Sequence, residues 1–252
     1  MKVDPGDRGL YRGCVHAPGL ARFQVTVKET DLLVLADSDL GGLVREIVLT
    51  QRDRLERHIA ANPGFRESLV PVVAPPAAPS IVRTMAESGR AAGVGPMAAV
   101  AGAICEEVAR GIGSRTKELL IENGGDLYVR TTCDRTVGIF AGSGEPAGGM
   151  ALGIRVRPEN TPLGICTSSG RIGHSLSFGD SAAATVLARS CALADAAATA
   201  VGNRVRGAQG IREGLAAARA ITGVLGAVIL RGGEVGAWGE VELVSLAERN
   251  DD

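Results

Sequence analysis

Aromatic side chains and net charge are both scarce in this sequence. Its 252 residues include one Trp, two Tyr and four Phe, and the formal net charge is −1. Proteins that bind single-stranded nucleic acid stack bases on aromatic rings, and those that bind duplexes or anionic membranes present a basic surface. The composition therefore indicates that nucleic acid is not a partner.

Cysteines are few and widely spaced, and no C-x-x-C pair occurs. This argues against both a disulfide framework and a thiolate zinc site. The segment Met1–Gly9 is charged rather than apolar, and Cys14 follows no apolar stretch that would make it a lipidation site. The longest mostly apolar run, Ala91–Cys105, is shorter than the roughly 18–20 residues that span a bilayer. We therefore expect a cytoplasmic protein with no membrane segment.

The length fits one domain, residues 1–252, with a sizeable core. Four prolines lie between positions 71 and 79 and indicate a stiff, extended connector. This connector is the best candidate for a boundary between two lobes of that domain.

The hydrophobic pattern changes several times along the chain. Alternation at Phe23, Val25 and Val27, followed by Leu32–Leu35, predicts a β-hairpin. A helical period over Leu40–Ala61 predicts a surface helix. Further helices are predicted after Pro79 and at Ala91–Gly111, Ala192–Asn203 and Arg212–Ala220.

Strand patterns dominate the second half. They cover Glu118–Asn123, Leu127–Arg130, Thr136–Ala141, Ala151–Arg157, Gly164–Thr167, Ala183–Ala188, Gly223–Leu230 and Glu234–Trp238. Helices and strands are interleaved without a regular βαβ alternation, so the sequence predicts an α+β fold with antiparallel sheets packed against helices.

A polar stripe runs along the alanine-rich helix predicted near residue 195. Asp195, Thr199 and Asn203 are four positions apart, which places them on one helical face. A carboxylate and a hydroxyl one turn apart are oxygen ligands that Mg²⁺ or Ca²⁺ prefers. The alternative is structural: an Asp that complements a helix N-terminus and a Thr that bonds back to a carbonyl.

A glycine pair separates two predicted strands, in the stretch Asn123-Gly124-Gly125-Asp126. Paired glycines permit positive φ and a close approach of backbone to a ligand. Asn-Gly is also the strongest short signal for an ordinary hairpin turn. Asp126 is the feature that a bare hairpin would not require.

Two glycines precede a predicted helix in the segment Gly93–Ala98, where Gly95 lies near the cap and Pro96 at the first helical position. Free amides at such a helix start suit a phosphate. The alternative is tight packing of a helix built from small residues.

Hydroxyl groups collect in the segment Cys166–Gly170, which leads to His174. Cys166 or Ser168 with His174 could form a nucleophile–base pair of a hydrolase. A loop that hydrogen-bonds a phosphate or a ring edge is the favoured interpretation, since no G-x-S-x-G elbow is present.

Taken in order, these segments resemble motifs of the ApbE-like superfamily of FAD:protein FMN transferases. Asn123-Gly124-Gly125-Asp126 is similar to its N-x-G-G-D turn, and Thr167-Ser168-Ser169-Gly170 to its T-S-G segment. Ala194–Ala200 is similar to its A-D-A-x-A-T-A helix. As a whole the chain most resembles a short, uncharacterised branch of this superfamily.

The resemblance implies an ApbE-like, T-fold-related architecture and a site for a flavin nucleotide, FAD or FMN, with Mg²⁺. It implies that Asp195 and Thr199 ligate the metal and that His174 accepts the proton of an acceptor threonine in a partner protein. It places the nucleotide against Gly93, Gly95, Asn123, Gly124, Gly125, Asp126, Thr167, Ser168, Ser169 and Gly170. The chain departs from the family in lacking a lysine at Ala103–Glu106, and this favours the alternative of a non-catalytic binding module or maturation factor.

Overall fold

The computed structural model describes residues 17–139, 152–168 and 181–246. These residues form three layers: helices, an eight-stranded sheet and a three-stranded sheet. Every strand pair within them is antiparallel. The predicted α+β class is therefore confirmed.

The large sheet has the strand order β1-β2-β3-β4-β7-β8-β9-β10, and the small sheet has the order β11-β6-β5. The strands are β1 Ala21–Val27, β2 Thr30–Ala36, β3 Leu119–Asn123, β4 Asp126–Arg130, β5 Arg135–Ile139, β6 Leu152–Val156, β7 Leu163–Ser168, β8 Ala183–Ala188, β9 Val224–Arg231, β10 Glu234–Gly239 and β11 Leu243–Ser245. β11 has no counterpart among the predicted strands, because three residues are too few to show an alternating pattern.

The helices are α1 Gly41–Ala61, α2 Pro63–Glu67, α3 Ser80–Ala92, α4 Val100–Ile112, α5 Cys191–Arg204 and α6 Gly210–Ala220. A 3₁₀ turn, Pro96–Ala99, leads into α4. The predicted helix after Pro79 extends through Ala92 and ends at Gly93 in the left-handed conformation. As predicted, Gly95 is the cap residue of the next helical segment and Pro96 is its first residue, although this segment opens as the 3₁₀ turn. α2 is an unpredicted helix. Pro63 both follows the end of α1 and opens α2, since its fixed φ suits a first helical position.

Strand alternation divides the core into two parts. Residues such as Cys166 and Val186 face the helices, whereas Ile165 and Leu187 face the small sheet. Because both faces of the large sheet are covered, its interior strand β8 is buried along its whole length. The polar groups of the site must therefore emerge at strand ends rather than from the middle of the sheet.

The proline-rich connector at 71–79 crosses between elements that share one sheet. β1 and β2 precede it, and β3, which follows it, pairs with β2 from Leu32–Asn123 to Ala36–Leu119. Within the described ranges, no single helix combines the length and hydropathy needed to cross a membrane. Ser80–Ala92 and Pro96–Arg115 meet that criterion only as a pair with a 105° bend between them.

Candidate functional site

Helix α5 carries Asp195 and Thr199 one turn apart, and both side chains are 7% exposed. The helix begins with a hydrogen bond from the Leu193 N–H to Ser190 Oγ at 3.1 Å, which satisfies one of its free amides. The Glu106 carboxylate of α4 accepts a second bond, from the Ala192 N–H at 3.2 Å. The start of α5 is thus fixed both by its own cap and by α4.

Two glycines allow the first residue of α5 to lie directly against its neighbours. A Cβ added at Gly102 of α4 would lie 2.3 Å from the Cys191 carbonyl oxygen, and one at Gly164 of β7 would lie 2.5 Å from the Cys191 Cα. Real Cβ atoms do not approach backbone so closely, so only glycine fits at these two positions. The close approach brings the side chains of α5 within reach of the first turn of α4.

The Asp195 carboxylate lies against the N-terminus of α4. Its Oδ2 accepts a hydrogen bond from the Gly102 N–H at 2.9 Å, and the Ala101 N–H also donates to the carboxylate. Burial nevertheless raises the pKa of Asp195, to about 8. The structural alternative predicted that Asp195 complements a helix N-terminus. Asp195 does so, but the N-terminus belongs to α4 and not to α5, the helix that carries Asp195.

The turn between β3 and β4 is a two-residue hairpin. Gly124 and Gly125 have φ values of +68° and +104°, and Asn123 pairs with Asp126 across the turn. The Asn123 Nδ2 group donates to the Ala101 carbonyl oxygen at 3.2 Å, and the Gly125 N–H donates to Glu122 Oε1 at 2.9 Å. The hairpin interpretation is confirmed, and the turn is also tied to the start of α4.

Asp126 connects this hairpin with the other motifs. It pairs with Cys166 of β7. Burial and then the negative charge of Asp195 raise the pKa of Asp126 well above its usual range. Asp126 and Asp195 come from motifs far apart in the sequence. In the fold they lie close enough for the charge of Asp195 to affect the pKa of Asp126.

Thr167 and Ser168 of β7 lie on opposite faces of the large sheet, because successive strand residues alternate. The Thr167 hydroxyl is 2.9 Å from the Thr185 hydroxyl of β8. Ser168 shares the face of Cys166 and hence of Asp126, and its buried hydroxyl has no hydrogen-bond partner in the described part of the chain. Ser169, Gly170 and His174 lie outside the described residues.

Gly93 and Gly95 have different surroundings. Gly93 ends α3 with φ +73°, and an added Cβ there would meet nothing within 4 Å. A Cβ at Gly95 would lie 1.9 Å from the Ser68 carbonyl oxygen. Gly95 thus allows two stretches of this chain's own backbone to touch, which supports the packing alternative at that position.

The sequence interpretation overlooked the backbone at Ala101 and Gly102, which contacts both Asn123 and Asp195. The small-residue run after Pro96 was the available signal, but it did not reveal which distant side chains approach it. Asp195 and Thr199 carry oxygen atoms of the type that hard cations prefer, and the pKa of Asp126 is raised in part by the charge of Asp195. Across ranges 17–139, 152–168 and 181–246, no group of three His, Cys, Asp or Glu residues is placed to hold a metal ion.

Sequence comparison identifies relatives along almost the whole chain. A UPF0280 protein of Methanocaldococcus jannaschii is 40% identical over 232 residues, which cover 90% of this chain and 94% of the relative. A UPF0280 protein of Methanosarcina acetivorans is 35% identical over 237 residues, with 93% and 92% covered.

Structural comparison finds flavin transferases with little sequence identity. The apo form of the flavinyl transferase ApbE of Pseudomonas stutzeri has a TM-score of 0.53 at 15% identity, with 87% of this chain and 94% of that chain covered. The ApbE protein of Thermotoga maritima has a TM-score of 0.54 at 12% identity, with 86% and 96% covered. These similarities confirm the predicted ApbE-like architecture.

The profile of the family described as AbpE bacteria matches residues 13–229. With the UPF0280 relatives and the shared architecture, this match confirms the resemblance inferred from the three motifs. The chain belongs to the AbpE bacteria family.

Proposed function

We propose that this protein binds a flavin dinucleotide together with Mg²⁺ at the site formed by Asp126, Asp195 and Thr199, and that it transfers FMN or cleaves the diphosphate. The observation that carries the proposal is the pair of buried carboxyl groups, Asp126 and Asp195, since burial and then the charge of Asp195 raise the pKa of Asp126. Two such groups with few compensating partners favour a bound cation. The flavin transferases of the same architecture give the ligand class.

The donor set suits Mg²⁺ better than a metal that needs a complete protein cage. Mg²⁺ is commonly bound by one or two carboxylates, with phosphate oxygens and water completing its coordination. The Asp195 carboxylate and the Thr199 hydroxyl provide such oxygens, both almost fully buried. When bound, Mg²⁺ would neutralise diphosphate charge and polarise the phosphoryl centre.

Other residues of the site would position the nucleotide. The Ser168 hydroxyl has no partner within the described chain, so it is available to donate to a ligand oxygen. An added Cβ at Gly93 would meet nothing within 4 Å, so the backbone at this position leaves room for a ligand. Asn123 keeps the Gly124–Gly125 turn against α4 and so fixes one wall of the site.

The transfer step needs a group that takes the proton of the acceptor hydroxyl, and we assign this role to His174. The alternative function is a binding module that holds the flavin without turnover. The absence of a lysine from Ala103–Glu106 is the observation that favours it. The hydrolase interpretation is weakened at Cys166, because burial raises the pKa of this thiol.

Titration with FAD, with and without Mg²⁺, tests the proposal when flavin fluorescence and released AMP are followed together. We expect binding that requires Mg²⁺, with AMP released in the presence of a threonine-containing acceptor. Asp195→Asn keeps the side-chain shape but removes the charge, and should weaken Mg²⁺-dependent binding by at least about tenfold. Asp53→Asn alters an exposed carboxylate on α1 and should bind as the unmodified protein does.

The outcomes separate the alternatives. Flavin binding without AMP release across several acceptors would identify a binding module. If Asp195→Asn binds FAD with unchanged Mg²⁺ dependence, the metal assignment is wrong. If the unmodified protein binds no flavin with Mg²⁺ present, the whole proposal fails.

A further inference from the structure

Three cysteines that the proposed function does not use lie together beneath the site. Cys105 of α4, Cys166 of β7 and Cys191 of α5 are fully buried. The sulfur atoms of Cys166 and Cys191 are 3.7 Å apart, and the Cys166 thiol also lies 3.4 Å from the Cys191 carbonyl oxygen. Three elements that meet at the site thus each contribute one thiol to the same cluster.

The backbones that carry two of these thiols are held in contact. Gly164, two residues before Cys166, lies so close to Cys191 that a Cβ added there would be 2.5 Å from its Cα. A disulfide needs sulfur atoms about 2.05 Å apart, and both side chains are short and rotate about χ1. The sulfur atoms of Cys166 and Cys191 therefore need to approach each other by less than about 2 Å to form a disulfide.

The same cluster makes one thiol more acidic than the others. Hydrogen bonds from Cys105 and from Cys166 lower the pKa of Cys191 to about 6, although burial opposes this. The thiolate is the reactive form of cysteine. Cys191 is therefore assigned as the attacking thiol, and Cys166, whose sulfur lies 3.7 Å away, as the resolving thiol.

We propose that Cys166 and Cys191 are a redox-active dithiol, which a small hydroperoxide oxidises to a disulfide joining β7 to the start of α5. The Cys191 sulfur attacks one oxygen of hydrogen peroxide, the O–O bond breaks, and Cys191 becomes a sulfenic acid, while the departing hydroxide takes up the proton of the Cys191 thiol and leaves as water. The Cys166 sulfur then attacks the sulfenic sulfur, and the displaced hydroxide takes the Cys166 proton to give a second water. Two thiols lose two electrons, and one peroxide is reduced.

Disulfide formation would also change the site. Cys166 is the strand partner of Asp126, so drawing its sulfur into a bond with Cys191 changes the immediate surroundings of the Asp126 carboxyl. On the proposed function, oxidation should therefore weaken flavin binding, and a dithiol reductant should restore it. This consequence rests on that function, whereas the disulfide itself does not.

Peptide mapping of the full-length protein tests the disulfide directly. The reduced protein is treated with hydrogen peroxide under native conditions, unfolded in an alkylating agent and digested with trypsin. Cys166 and Cys191 fall in separate tryptic peptides, residues 156–171 and 190–204, because Arg171 and Arg189 lie between them and Arg157 precedes a proline. We expect both alkylated peptides to be lost and one disulfide-linked pair to appear, which disappears again after reduction.

Two variants control the result. Cys133→Ser removes an exposed thiol and should leave the linked pair unchanged, and Cys105→Ser should also still form it. If peptides 156–171 and 190–204 stay unlinked at a peroxide concentration that fully oxidises Cys133, the proposal is overturned. A link from Cys105 to Cys191 in place of the Cys166 link overturns it as well. Because the mapping uses no flavin, failure of the proposed function would appear separately, as a lack of FAD binding by the reduced protein.

Discussion

The Asp195 carboxylate accepts a hydrogen bond at 2.9 Å from the Gly102 N–H, which lies 93 positions earlier in the chain. This contact joins the helix that carries the proposed metal ligands to the first turn of α4. It gives Asp195 a structural role in addition to the proposed one. The two roles can be separated, since they depend on different properties of the side chain.

The structural role depends on the acceptor oxygen. Asp195→Ala leaves the amides of Ala101 and Gly102 without their buried acceptor, and we expect it to lower the free energy of unfolding by about 1–3 kcal/mol. Asp195→Asn retains one carbonyl oxygen and should cost less. Urea denaturation measures both, and equal stability of the two variants would contradict the structural role.

Close packing around Cys191 leads to a second prediction. Gly102→Ala and Gly164→Ala each place a methyl group within 2.5 Å of the Cys191 backbone, so each should destabilise the protein by roughly 1–3 kcal/mol or more. Gly42→Ala is the matched control, because Gly42 lies in α1 with nothing within 4 Å of an added Cβ. In this exposed helical position Ala should stabilise by about 0.5–1 kcal/mol. Thermal unfolding of the three variants checks that Gly102→Ala and Gly164→Ala lower the stability while Gly42→Ala raises it.

Acid stability should depend on Glu118. Burial raises the pKa of this carboxyl, but hydrogen bonds from Thr132, Arg135 and Thr131 outweigh burial and lower the pKa to about 2. A lowered pKa means that the charged form contributes stability above pH 4.5, the ordinary value, and that this contribution is lost as the pH falls toward 2. The contribution should be at most about 3 kcal/mol.

Glu118→Gln tests this linkage. The variant should be less stable than the unmodified protein at neutral pH, and the difference should shrink as the pH falls from 4.5 toward 2. Denaturation at a series of pH values measures the difference. A stability difference between the two proteins that stays constant with pH would show that the charge of Glu118 does not stabilise the fold.

Local patterns predicted much of the fold, because they act over a few residues. Asn123-Gly124-Gly125-Asp126 specified its hairpin since only glycine takes both positive φ values easily, and the helical face of α1 was visible in its period. The short strand β11 and helix α2 carry too few residues for such a signal. The motif order was enough to identify the family before any contact was known.

The site itself depends on pairings that no local pattern contains. Alternation alone places Thr167 and Ser168 on opposite faces, but the register of Asp126 with Cys166 decides which of them faces Asp195. The role of Gly102 depends on α4 and α5 touching, and the thiol pair depends on β7 touching α5. These are long-range contacts, so spacing in the sequence could name the residues but not their partners.

Ser168 and Thr185 give the last prediction, because both residues are buried but only the Thr185 hydroxyl has a hydrogen-bond partner in the described chain. The Ser168 hydroxyl has no partner in the described chain, whereas the Thr185 hydroxyl bonds to Thr167 at 2.9 Å. Ser168→Ala should therefore raise the stability of the ligand-free protein by about 1 kcal/mol and weaken flavin binding by roughly five- to tenfold. Thr185→Val should instead lower stability by about 1 kcal/mol. If Ser168→Ala destabilises the ligand-free protein and leaves flavin affinity unchanged, then Ser168 is a structural residue and does not hold the ligand.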